Sequence, residues 1–432
     1  MNLKKHLWEQ DKKYRNILLT LTFAMFTLCA ILAIYKSEYF LLGDISKLNN
    51  DDVRYLNTAR ILANEGRFIY YGNEPTVFIM PLFPLFLSGI MKIFGTGSSG
   101  LIAIQIIQGL FQCISLYFVY FISKELFNKK VALYSTLITF FYLPEYSASN
   151  LILTEVFYKF LFIIMFYFAI IAIKNNNLYY YIITSIFWAL SCLVRPNAAP
   201  FPLFIIIFWI VYKYSMKDMI KYTSIAFVIF VSIFSPWWIR NYKITGDFVL
   251  FTKSSGSPKL IGTKTWGGKL PTFAKDIPTE YGHDKRVKGE YLSDEQQDKL
   301  ANYIIKRGFK EEPLKYGSWY TIGKTINLYS LPYYWREVFG VKKSVMKVIH
   351  LILILFSLCG IFSLCKKNNR TTGSKMLLSL LAISTVICWP FVTFARYGYP
   401  NMFMIIIICA YLIDKIVNKF STTNLNFLNN LN

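Results

Sequence analysis

Charge is scarce in this sequence, and acidic charge is scarcest. Only 16% of the 432 residues are charged, with 24 Asp+Glu against 47 Lys+Arg, where a soluble chain carries roughly 25%. With 55% apolar residues and a mean hydropathy of +0.39, this shortage excludes a soluble enzyme and a disordered chain. No C-x-x-C pair occurs, and all seven cysteines (Cys29, Cys113, Cys192, Cys359, Cys365, Cys388, Cys409) lie in apolar runs. They read as small core hydrophobes rather than a disulfide framework or a metal site. No small-residue cleavage site follows Tyr35, so the first apolar run reads as a retained helix. A Gly-rich phosphate loop and a nucleotide-binding βαβ pattern are also absent, and Gly262 and Gly267-Gly268 read as turns. Neither a nucleotide nor a redox cofactor is expected. The net charge of +23 suits lipid phosphates and membrane orientation rather than nucleic acid.

What is present is a series of apolar runs, at 17–35, 101–123, 131–144, 156–173, 178–194, 198–212, 222–239, 346–365, 376–395 and 398–417. Each approaches the roughly 20 residues that cross a bilayer. The expected fold is an all-α polytopic bundle of about ten transmembrane helices. The run 78–94 is ambiguous, with Pro81 and Pro84 near its start and Lys92 near its end. If it does not cross and the N-terminus is cytoplasmic, the Lys-rich short loops around Lys124, Lys174, Lys217, Lys366 and Lys415 all fall inside, as the positive-inside rule requires. It therefore reads as a re-entrant or amphipathic segment at the outer face, with both chain ends inside. The expected organisation is a module over 1–239 with its first outer loop at 36–100, an outer cover over 240–345, C-terminal helices over 346–419 and a tail over 420–432. Within the cover, Ser293-Asp294-Glu295-Gln296 has the spacing of a capping box.

Candidate site residues gather at one level, the outer helix ends. Asp51 and Asp52 precede an apolar face of Tyr55, Ala59, Leu62 and Ala63. Either aspartate caps this helix, and either serves as a general base or a metal ligand. Glu155 follows Thr154 at the start of a span, where it complements the helix dipole or joins Asp52 around a divalent cation. Arg195-Pro196, Arg240-Asn241 and Arg396-Tyr397 read as snorkelling anchors in an aromatic belt. Their other reading is three guanidiniums converging on a phosphate at the membrane surface. The spans themselves are almost free of charge, apart from Lys159 and His350 near helix ends, which argues against a proton-coupled transporter.

The ordered motifs resemble a known family. Asp52-x-x-Tyr55-x-x-x-Ala59-x-x-Leu62-x-x-x-Gly66 is followed by Pro81-x-x-Pro84-Leu85, Phe94-Gly95, Thr154-Glu155 and Arg195-Pro196. Pro236-Trp237-x-x-Arg240-Asn241-Tyr242 and Ala395-Arg396-Tyr397 complete the series. Together they resemble membrane glycosyltransferases of the GT-C superfamily, in the branch of bacterial protein O-mannosyltransferase and lipid A aminoarabinose transferase-like proteins. The resemblance implies juxtamembrane helices in the first outer loop. It maps the family's acidic residue to Asp52, with Asp51 competing, and its second acidic position to Glu155. It places lipid-phosphate contacts on Arg195, Arg240 or Arg396, and substrate contacts on Tyr55, Asn241 and Tyr397.

The expected function is transfer of a sugar from a polyprenyl-phosphate-linked donor to an acceptor hydroxyl on a lipid, glycan or protein, with inversion. The expected catalytic residues are Asp52, Asp51 and Glu155, with a divalent metal held between Asp52 and Glu155. A bacterial cytoplasmic membrane with the site facing outward is the expected setting. The rival reading is a lipid-linked saccharide or lipid flippase that does no chemistry.

Overall fold

The computed structural model describes residues 7–268, 273, 277–281 and 292–429, and the regular elements among these are all helical. In chain order they begin with α1 (Lys12–Lys36), α2 (Asp51–Glu65), α3 (Leu82–Phe94), α4 (Ser98–Leu126), α5 (Lys129–Phe141) and α6 (Pro144–Asn150). Next come α7 (Thr154–Asn175), α8 (Leu178–Val194), α9 (Phe201–Val211), α10 (Met216–Thr245), α11 (Gly256–Ile261) and α12 (Asp294–Glu311). The series ends with α13 (Pro313–Ser318), α14 (Lys324–Tyr329), α15 (Lys343–Cys365), α16 (Thr372–Val386), α17 (Ala395–Gly398) and α18 (Met402–Asn429).

Among the described residues, six stretches are long and apolar enough to cross a membrane: α1, α4, α7, α10, α15 and the stretch Ala395–Phe420. The other four expected crossings coincide with shorter helices, α5, α8, α9 and α16, of 13, 17, 11 and 15 residues. Proline sets two of these lengths. The run 131–144 stops at Phe141 and restarts as α6 with Pro144 at its first turn, where the missing N–H costs nothing. The run 376–395 ends at Val386, ahead of Pro390, which cannot continue a helix. The segment 78–94 forms α3, whose 13 residues reach only about 20 Å. It packs along α2 and α4.

Helix α7 is the axis of the bundle, with nearly every residue buried, and it packs on α4, α8 and α9. Irregular backbone at bundle depth must find internal partners, because hydrocarbon offers none. The break between α6 and α7 finds them in a stripe of glutamines on α4. Gln105 Nε2 donates to the carbonyls of Ser37 and Asn150, and Gln108 Nε2 to those of Ser149 and Leu151. Of the cysteines, five are buried as expected, whereas Cys359 and Cys365 lie exposed on the bundle surface.

Segment 240–345 builds a second, smaller core around Leu260, Leu300, Ile304, Tyr316 and Tyr320. The capping box at Ser293 and Gln296 forms and opens α12. Gly308 passes directly beneath the Tyr316 ring, where a Cβ would lie 2.2 Å from a ring carbon. This cap grips the turn that leads into α17. The Val392 N–H donates to Pro258 O (2.8 Å), and Trp389 Nε1 donates to Thr325 Oγ1 (3.0 Å). Lys324 Nζ donates to the carbonyls of Trp389 and Phe391.

Burial pushes the Lys324 ammonium down to about 7 from its usual 10.5. The unfolded chain holds that proton up to the higher value, so between the two values unfolding takes up a proton and stability rises with pH. The slope is at most about 1.4 kcal/mol per pH unit. Thermal unfolding of the purified protein is expected to shift upward between pH 7 and 9. The Lys324→Met protein is expected to lack that increment.

Candidate functional site

Helix α2 starts where its sequence says it should. Asn50 is the extended N-cap residue, Asp51 and Asp52 fill the first turn, and Gly66 closes the other end at φ +71° with its N–H on Leu62 O. Successive helical residues point about 100° apart, so the two aspartates face different surroundings. Asp52 is fully buried. Its Oδ2 accepts from the backbone N–H groups of Leu42 (2.5 Å) and Gly43 (3.4 Å), while Oδ1 has no partner among the described residues. Asp51 keeps 43% of its side chain exposed. Its Oδ1 accepts from the Tyr70 hydroxyl (2.9 Å), and its Oδ2 from Arg396 Nη1 (2.7 Å).

Arg396 joins α2 to the bundle axis. While Nη1 holds Asp51, Nε donates to Glu155 Oε1 at the start of α7. Arg195, the residue that ends α8, reaches the same Oε1 at 3.0 Å, and its guanidinium lies over the Tyr397 ring (5.0 Å). Four charges from four elements thus form one row, Asp51–Arg396–Glu155–Arg195, with no net charge. Glu155 Oε2 is buried without a partner among the described residues. Burial opposes charge on Asp51, but the Arg396 guanidinium and the hydrogen bonds from Arg396 and Tyr70 outweigh it. They hold the carboxyl below the usual carboxylate range.

Arg240 does not join this row, which corrects the expected convergence of three arginines. Its Nη1 donates to Thr76 O (2.6 Å) and to Asn241 Oδ1 (3.0 Å), and the guanidinium lies over the rings of Phe68 and Trp237. Arg240 bolts the 68–76 stretch to α10. Asn241 is fully buried beside it. Tyr55 packs its ring against Tyr70 and Phe83, on the side of α2 that carries Asp51. Burial first, then the Asp51 charge, pushes its hydroxyl pKa up.

One residue of this site carries no sequence motif. Tyr333, in the stretch between α14 and α15, is 2% exposed, and its hydroxyl has no partner among the described residues. Burial, followed by the charge of Glu155, raises its pKa well above the ordinary value. Arg396 and Arg195 counter this, and Asp52 adds to it. The aromatic run Pro332-Tyr333-Tyr334-Trp335-Arg336 packs into the bundle core, and only the fold brings the Tyr333 ring near the charged row.

The family described as dolichyl-phosphate-mannose-protein mannosyltransferase matches residues 74–239. The structure aligns with the oligosaccharyltransferase AglB of Archaeoglobus fulgidus in complex with an inhibitory peptide and a dolichol-phosphate. The TM-score is 0.53 at 14% identity, covering 94% of this chain and 51% of that one. A second structure of the A. fulgidus enzyme, tethered to an acceptor peptide with the NVT sequon, aligns at TM-score 0.56 and 15% identity, covering 95% and 50%. This chain shares the fold of the part of these archaeal structures that it covers. It spans about half the length of these archaeal chains. ArnT from Cupriavidus metallidurans, bound to undecaprenyl phosphate, aligns at TM-score 0.42 and 14% identity over 90% of this chain and 77% of that one, a likeness too low to bear on the fold. No curated protein matches the sequence. In this fold the charged row lies where α2 meets the ends of the bundle helices α7 and α8.

The two aspartates are expected to separate in a stability measurement. Asp52→Ala leaves two backbone N–H groups unpaired in a buried site and costs about 1–3 kcal/mol. Asp51→Ala, at a half-exposed position, costs less, because Arg396 keeps Glu155. Thermal unfolding of both variants in detergent checks the order.

Proposed function

We propose that the protein is an integral-membrane glycosyltransferase that moves a sugar from a polyprenyl-phosphate carrier to an acceptor hydroxyl. The observation that carries this reading is the charged row, in which a half-exposed carboxylate and two guanidiniums are joined through one buried glutamate. Asp51 is the base on this reading, because Asp52 is buried and spends one oxygen on backbone donors. The acceptor oxygen attacks the anomeric carbon and gives its proton to Asp51. The bond from that carbon to the phosphate oxygen breaks, and the electron pair leaves with the polyprenyl phosphate. Attack from the side opposite the phosphate inverts the centre.

The row couples the two events electrostatically. The phosphate gains a negative charge as the bond breaks, and Asp51 loses one as it takes the proton. Arg396 Nη1, released by a neutral Asp51, then serves the phosphate together with Arg195, and fixed positive charge at the leaving group is where such sites gain most. A divalent cation would draw on two orphaned oxygens, Asp52 Oδ1 and Glu155 Oε2, although no group of three or more His, Cys, Asp or Glu able to hold a metal gathers among the described residues. Bound there, with water completing its shell, it would add positive charge beside the leaving phosphate.

A place for the lipid supports the same reading. A groove of about 220 Å³ between α8, α9 and α10 is lined by apolar side chains including Trp188, Phe201, Ile205, Trp209 and Phe230. Trp188 stands seven residues before Arg195, which is about 10 Å along the helix. An isoprenoid chain in the groove brings its phosphate to that arginine. The setting on this reading is a bacterial cytoplasmic membrane, with the charged row at the outer face and a lipid, glycan or protein as acceptor.

The test is transfer of labelled sugar from a panel of polyprenyl-phosphate sugars by purified protein in lipid. Wild type is expected to transfer. Asp51→Asn is expected to lose at least a hundredfold, in the range general bases contribute, and Asp52→Asn to lose less. Because Arg396 keeps Asp51 ionised, the wild-type rate is expected to stay flat as pH falls from 7 to 5. Lipid-phosphate movement across the bilayer without sugar transfer would instead identify a flippase.

A further inference from the structure

Beneath the charged row lies a second polar layer that the proposed chemistry does not use. Lys159, on α7, is 1% exposed, and Glu145, on α6, is fully buried. Lys159 Nζ donates to Glu145 Oε2 and to the Tyr399 hydroxyl (3.2 Å), and that hydroxyl donates to the same carboxylate oxygen (2.7 Å). The Lys159 ammonium also lies over the Tyr399 ring, 4.7 Å from its centroid. Burying two charges costs several kcal/mol even when they are paired, and an apolar pair of similar volume would fill the space without that cost. Stability therefore does not account for the pair.

Its placement does. Glu155 and Lys159 stand four residues apart on α7, and so on one face of it. Arg396 and Tyr399 stand three residues apart in the α17 turn. The outer layer ties Glu155 to Arg396, and the inner layer ties Lys159 to Tyr399, so the same two elements are pinned twice, one helical turn apart. Tyr333 spans the two levels: its ring packs on that of Tyr399 (5.1 Å) and its hydroxyl feels Glu155 and Arg396. The inner layer also anchors α6, whose Ser147 Oγ donates to Arg336 O (2.8 Å) in the Tyr333 segment.

We propose that Lys159, Glu145 and Tyr399 are positioning residues that set the register of Arg396 against Glu155, and thereby the geometry of the lipid-phosphate contact. The proposal rests on the reading of Arg396 and Glu155 as that contact. It predicts a separation between stability and binding that a merely structural role would not produce.

The experiment measures thermal unfolding and affinity for undecaprenyl phosphate on the full chain in detergent. The paired substitution Glu145→Gln with Lys159→Met is expected to unfold within a few degrees of wild type, yet to bind undecaprenyl phosphate at least tenfold more weakly. Tyr399→Phe, which removes one hydroxyl, is expected to lose about threefold with its fold intact. Affinity within twofold of wild type in both proteins overturns the proposal, as does a loss that only follows the fraction unfolded. Should the paired protein fail to fold, Tyr399→Phe decides alone by the same criterion. If wild type itself binds no undecaprenyl phosphate, the lipid-phosphate reading falls, and the coupling is then read without ligand. The unfolding shift of Arg396→Gln combined with Tyr399→Phe is expected to be smaller than the sum of the two separate shifts. Additive shifts overturn the register claim.

Discussion

The guanidinium of Arg396 is the interaction on which the rest of the site depends. It holds Glu155 and Asp51 at once, and so fastens α2 to the central span across most of the chain length. Each partner is placed by something else. Glu155 is fixed by the start of α7 and by Arg195. Asp51 is fixed by the first turn of α2 and by Tyr70. The α17 turn that carries Arg396 is fixed by the cap, through Lys324, Trp389 and Val392. A guanidinium presents its donors in a rigid planar fork, so one side chain serves two carboxylates at defined angles. A lysine at this position would hold one charge and leave the other carboxylate uncompensated.

Much of the fold was legible in the sequence because hydrocarbon imposes a simple rule. Apolar runs must be helices, and basic loops orient them, so helices appear at each of the ten expected places. The same reading fell short where a polar group is paid for inside the bundle. Glu145 sits just past the run 131–144 and belongs to no motif of the sequence. The structure makes it part of a buried helix whose backbone ends are satisfied by Gln105 and Gln108. Gln105, Gln108 and Gln112, spaced three and four apart within an apolar run, were the available signal for an irregular segment packed against that face. Lys159, read as a charge near a helix end, proves to be the partner of Glu145.

The candidate site was legible by depth but not by direction. Hydropathy places Arg195, Arg240 and Arg396 at one level of the membrane, yet it says nothing about their positions around the bundle. Two of them meet at Glu155, whereas Arg240 braces the 68–76 stretch. The doubled aspartate poses the same problem on a smaller scale. Neighbours on a helix diverge by about 100°, and only the packing of α2 against α3 and the Leu42–Gly43 backbone shows which carboxylate turns toward the arginines. Tyr333 lay outside any motif, because a buried hydroxyl without a partner is visible only in three dimensions.

The central claim is that a lipid phosphate is held by the two guanidiniums that Glu155 gathers. An experimental structure of the protein with undecaprenyl phosphate bound tests it most directly. The account predicts the phosphate within hydrogen-bond distance of Arg195 and Arg396, with the isoprenoid chain in the groove between α8, α9 and α10. A phosphate bound elsewhere, with the row from Asp51 to Arg195 unchanged, would contradict it.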